Sequence, residues 1–97
     1  MRVTLHRHVG AEVDRIMDRY EAVGGPHLAD EFYSELSSLI RRASQNPGRF
    51  RIIKGDLRRA NLKRFPYHFL FREIGDSLRI LVIRHHRRDP SLGLKRK

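Results

Sequence analysis

The chain has 97 residues, no cysteine and a formal charge of +10. That length holds one modest hydrophobic core, so residues 1–97 are expected to form a single domain. Composition excludes disulfides, cysteine-ligated zinc and thiol nucleophiles, and no segment approaches the roughly 18 apolar residues of a membrane span. The expected setting is a reducing cytoplasm, without membrane contact.

In chain order, Val3 and Leu5 alternate with Thr4 and His6 and predict a short opening strand. Val13, Ile16, Met17 and Tyr20 follow at helical spacing, with Glu12, Asp14, Asp18 and Arg19 on the other side. Gly24-Gly25-Pro26 breaks that helix, and Pro26 is placed to open a second one. Ala29, Phe32, Leu36, Leu39, Ile40 and Ala43 supply its apolar stripe, and Asn46-Pro47-Gly48 stops it. A helical hairpin is expected.

After Gly48 the period changes to two. Leu57 to Phe65 and Tyr67 to Glu73 are predicted strands, with Pro66 marking a bend or an edge. Gly75-Asp76 supplies a turn into a last strand from Leu78 to His85. In that strand strict alternation sends Leu78, Ile80 and Val82 to one face and Leu81 and Ile83 to the other. Apolar residues on both faces predict a central strand. The fold class is therefore α+β: an N-terminal strand, an αα-hairpin, then a three-stranded antiparallel meander with the helices on one sheet face. The other face, carrying Arg59, Asn61 and Lys63, is expected to be basic and uncovered.

Charge is divided unevenly. Residues 1–48 hold six Lys/Arg and seven Asp/Glu, a net of −1, whereas residues 49–97 hold fifteen and four, a net of +11. Such a half-molecule suits a polyanion or an acidic partner. Its densest point is Arg84-His85-His86-Arg87-Arg88, where the last strand leaves the core.

The segment Leu57-Arg58-Arg59-Ala60-Asn61-Leu62-Lys63-Arg64-Phe65-Pro66-Tyr67, with Phe71 four residues on, precedes a strand ending at His85. Arg87-Arg88-Asp89-Pro90 completes the pattern. This combination resembles the ParE/RelE family of type II toxin–antitoxin toxins, its ParE-like branch above all, over nearly the whole chain. The resemblance implies a toxin held inactive in a hetero-oligomer by a cognate antitoxin. ParE-like members inhibit DNA gyrase by trapping it on DNA. RelE-like members are metal-independent endoribonucleases that cut messenger RNA in the ribosomal A site. Gyrase is the target the resemblance favours, with the ribonuclease as the alternative. One departure supports that order: an aromatic residue often follows Arg-Asp-Pro in the family, and here Leu92 and Leu94 stand instead.

For a gyrase-type toxin the target-binding residues are Arg58, Arg59, Lys63, Arg64, Arg84, His85, Arg87 and Arg88. For a ribonuclease, His85 would move protons and Arg87 would hold phosphate, since imidazole titrates near neutrality and guanidinium binds phosphate in a bidentate fork. Adjacent strand residues face opposite ways, so only one of His85 and His86 should meet the basic face, and the motif selects His85. Phe65-Pro66-Tyr67 is read as a fold determinant, and Lys95-Arg96-Lys97 as a frayed tail. No cofactor is implied. His6 and His8 lack the further ligands a metal site needs, and Gly24-Gly25-Pro26 lacks the Lys-Ser/Thr of a phosphate loop.

Overall fold

The computed structural model describes Met1–Lys97. Strand β1 (Arg2–Leu5) leads into a helical segment α1 (Val9–Gln45), and a single 3-10 turn (Pro47–Arg49) follows. Strands β2 (Arg51–Lys54), β3 (Leu57–Asn61), β4 (Tyr67–Ile74) and β5 (Ser77–His85) complete one five-stranded sheet of order β1-β5-β4-β3-β2. β1 pairs with β5 in parallel and the other pairings are antiparallel. No helix is long and apolar enough to cross a membrane.

Two expectations about the elements are corrected. The expected hairpin has no connecting loop: α1 consists of two helical arms that meet directly at Gly25, whose φ of 79° and ψ of 177° are not helical. Glycine reaches that φ without strain, and Pro26 starts the next helical turn without needing an amide donor. The bend is sharp. Tyr20 and Phe32 are twelve positions apart, roughly 18 Å along a straight helix, yet their ring centroids are 5.6 Å apart. The antiparallel part of the sheet has four strands and not three, because Gly55-Asp56 turns β2 back onto β3. β3 also ends at Asn61, four residues before the predicted boundary.

The main core lies between the sheet and the two arms of α1. Phe32, Phe65, Tyr67, Phe69 and Phe71 are all buried there. Phe65 meets Tyr20 at 4.9 Å and Phe32 at 5.4 Å, edge to face, which fixes the loop before β4 against the helix bend. The same loop is held from outside, since the Glu35 carboxylate accepts the backbone N–H groups of Lys63 and Arg64 at 2.6 and 3.2 Å.

A bulge in β5 decides which way its end faces. Leu70 pairs with Val82 and Phe71 with Ile80, which leaves Leu81 as an extra residue. Ile80 and Ile83 consequently both join the helix-side core, while Leu81 and Val82 both join a second cluster on the opposite face with Leu57 and Leu70. Strict alternation holds through Leu81 and is corrected from Val82 onward, where every side chain of β5 is turned over.

The opposite face is not left bare. Leu92 and Leu94 of the C-terminal segment pack on its apolar cluster. Gly93 lies so close that an added Cβ would sit 2.6 Å from Val82 Cγ1, and its φ is +86°. Arg96 is not frayed: its guanidinium reaches Glu12 Oε2 at 2.8 Å and the carbonyl of Leu81 at 3.1 Å. Glu12, only 7% exposed, also accepts the N–H of Ile83 at 3.2 Å. β1 pairs with β5 only as far as Ile80, so this Glu–Arg pair satisfies backbone groups that a longer β1 would have taken.

Candidate functional site

Asn61, His68 and Arg84 stand side by side on β3, β4 and β5, on the face away from the helix. The pleat and the β5 bulge together bring them into one polar row. His86, just past the strand, joins it where its own N–H binds the carbonyl of Pro66 at 2.9 Å. The row forms a chain of hydrogen bonds. Arg84 Nε donates to His68 Nε2 at 2.9 Å, and His68 Nδ1 lies 2.9 Å from His86 Nδ1. The imidazole centroids are 5.2 Å apart with planes 12° from parallel. That separation is the N–N distance plus one ring radius at each end, so the rings are coplanar and edge to edge.

Heavy-atom geometry assigns the tautomers. Arg84 Nε can only donate, so His68 Nε2 accepts and the His68 proton is on Nδ1. His86 Nδ1 must then accept it, which puts the His86 proton on Nε2. Both rings are neutral. Burial, reinforced by Arg59, Arg84 and the neighbouring histidines, lowers the His68 pKa to about 3. Burial, Arg59 and His85 lower that of His86.

Arg84 is 6% exposed and pairs with no carboxylate. Its NH1 donates to the carbonyls of Leu92 at 2.6 Å and Pro90 at 2.8 Å. It therefore ties the C-terminal segment to the sheet and fixes His68 with the same guanidinium. Burial, aided by Arg59 and opposed by Asp89, lowers its pKa, yet a guanidinium stays protonated. Arg59 closes the network from β3, with Nε on Asn61 Oδ1 at 2.7 Å and NH2 at 3.4 Å from His86 Nδ1.

The other residues expected at the site are dispersed. Arg58 sits on the helix side, where NH1 donates to the carbonyl of Phe50 at 2.7 Å. Arg64 pairs with Glu31 at 3.1 Å. His85 is on the helix side against Tyr67, with centroids 5.1 Å apart, and its Nδ1 accepts the N–H of Arg87 at 3.0 Å. The bulge at Leu81 reverses the expected assignment, and His86 is the histidine on the basic face. Lys63, Arg87 and Arg88 are exposed. The surface available to a partner thus reduces to Arg59, Lys63, His86, Arg87 and Arg88, while Arg84 belongs to the interior. Sequence reasoning missed His68, which sits amid the apolar run Tyr67 to Phe71; a single imidazole there was the available signal.

Chemically, this row can donate hydrogen bonds and carry positive charge. A histidine acting as general base must present an unprotonated nitrogen to the substrate. On His86 the inward nitrogen accepts and the outward one already carries the proton. Exchanging them would need a proton on His68 Nε2, against the Nε–H of Arg84. No carboxylate bonds to either ring. No group of three or more His, Asp or Glu side chains is gathered for a metal ion.

Fold and site together describe a small α+β domain with a fixed basic face. The same fold occurs in a solved structure described as the chromosomal ParDE TA system from P. aeruginosa, at a TM-score of 0.77. Identity is 24%, over 88% of this chain and 95% of that one. The family model of the ParE toxin of type II toxin-antitoxin system, parDE, matches residues 3–90, and the chain belongs to that family. No match to a curated protein sequence reaches significance.

Proposed function

We propose that this protein is the toxin of an antitoxin-neutralised pair and that it inhibits DNA gyrase by binding rather than by cleaving RNA. The observation that carries this reading is the tautomer lock, in which Arg84 and His68 hold His86 with its proton outward. A face so fixed can donate hydrogen bonds and offer positive charge, but it offers no base. Arg59, Lys63, His86, Arg87 and Arg88 are the contacts to the target. The cognate antitoxin meets the same basic half with its carboxylates and the apolar surface with its own side chains.

The test is a supercoiling assay with purified gyrase and no ribosomes. Inhibition is expected, and charge reversal at Lys63 and Arg87 should weaken it at least about tenfold, a loss typical of charged contacts. His86→Ala should change it by less than about threefold. Messenger cleavage in a ribosome-containing assay, lost by about 10² or more in His85→Ala or His86→Ala, would replace this reading with the ribonuclease one.

A further inference from the structure

A cleft of about 500 Å³ opens at the β5 end between the first arm of α1 and the C-terminal segment, where Arg84 and Leu92 also line it; Arg59 and His86 do not. Arg15 and Arg19 line it from the first arm of α1, and His85 and Arg88 from the chain leaving β5. Arg15 and Arg19 are one helical turn apart and so project to the same side. The sequence hid them, because residues 1–48 are acidic on balance.

The positive charge here is only partly compensated. Of the two carboxylates at the cleft, Glu12 is committed to Arg96 and to the Ile83 N–H, and Asp18 enters no ion pair. Arg15, Arg19 and Arg88 are exposed and have no ion-pair partner either. His85 uses Nδ1 to accept the Arg87 N–H, which leaves Nε2 to donate. The floor is apolar, made by Ile16, Tyr67 and Ile83.

We propose that this cleft binds a nucleoside polyphosphate, with the phosphates on Arg15, Arg19 and Arg88 and the nucleoside on the Ile16–Tyr67–Ile83 floor. Three guanidinium forks and an imidazole N–H are more donors than the two oxygens of one carboxylate use, whereas two or three linked phosphates use them all. The volume of about 500 Å³ lies inside the range of roughly 300–1,000 Å³ found for small-molecule sites, and a lining in which charged side chains outnumber apolar ones suits a charged ligand over a neutral one. The site does not depend on the gyrase reading, since it shares no side chain with the surface tested there beyond Arg88.

Calorimetric titration of the full-length protein with ADP, ATP, inorganic pyrophosphate and a short single-stranded oligonucleotide tests it. Saturable binding of ADP and ATP is expected, tighter than that of pyrophosphate. The double variant Arg15→Gln, Arg19→Gln should weaken it at least about tenfold. Both positions are exposed and glutamine keeps helix propensity, so the melting temperature should hold. Arg59→Gln, outside the cleft lining, should leave nucleotide binding unchanged. Three results would overturn the proposal: no saturable nucleotide binding up to about 1 mM, pyrophosphate binding as tightly as ADP, or equal losses from the Arg59 and Arg15/Arg19 variants. Binding of the oligonucleotide but of neither nucleotide would also overturn it, by showing a strand-tracking groove. Gyrase inhibition by the Arg15/Arg19 variant, measured in parallel, separates failure of this site from failure of the proposed function.

Discussion

Arg84 offers the most demanding test, because it stands among four other ionisable residues that read as surface and yet is interior. Replacing it with methionine keeps most of the volume and removes the donors. Three short contacts are lost, to Leu92 O at 2.6 Å, Pro90 O at 2.8 Å and His68 Nε2 at 2.9 Å. A buried acceptor left unsatisfied costs about 1–3 kcal/mol. Two offsets apply: the guanidinium no longer has to be desolvated, and the freed carbonyls regain water as residues 90–94 loosen. A net loss of about 3 kcal/mol follows, equivalent to roughly 12–24 °C in Tm for a domain of this size. Urea and thermal unfolding measure it, with Arg87→Ala as control, for which an exposed side chain predicts a change under about 0.5 kcal/mol. Amide exchange should quicken from Pro90 to Leu94 in the Met variant alone. Equal midpoints for Arg84→Met and Arg87→Ala, with residues 90–94 still protected, would refute the assignment of Arg84 as the tie between tail and sheet.

The remaining predictions concern other parts of the same framework. His68 has its folded pKa lowered to about 3 from 6.5, so above pH 6.5 it is neutral in both states. As pH falls below that, only the unfolded chain takes the proton, and stability should drop by up to about 1.4 kcal/mol per pH unit towards pH 3. Urea midpoints at pH 7 and pH 5 check this; a slope unchanged in His68→Asn would mean another group causes it. Phe65→Ala removes a ring seated 4.9 Å from Tyr20 and 5.4 Å from Phe32 and should cost about 3–5 kcal/mol in the same unfolding assay. Glu12→Ala strands the Ile83 N–H and the Arg96 guanidinium together. It should cost about 3–5 kcal/mol, and limited proteolysis should then cut near residue 92 before the rest of the chain.

Much of the fold was written locally. Helical spacing located both arms of α1, Gly25-Pro26 located the bend, and the apolar residues on both sides of β5 placed it between two neighbours. Charge counting found the basic half. Strand β2 escaped notice because Arg51-Ile52-Ile53-Lys54 carries no alternation and half buries only Ile53. The site was harder to read, for a reason of arithmetic. Alternation allows only one of His85 and His86 on the basic face and the motif selects His85, but one extra residue at Leu81 gives that place to His86.

By itself, then, the sequence determined the element types, the family and the sign of the surface, because those depend on spacing and side-chain chemistry over a few residues. Tertiary structure decided which charges are interior. Glu35 captures the N–H groups of residues 63 and 64, Arg96 finds Glu12 from 84 positions away, and Arg84 finds carbonyls in a segment folded back over the sheet. Such partners are set by strand register and chain reversal, and a guanidinium carries the same local pattern whether water or a buried carbonyl receives its protons.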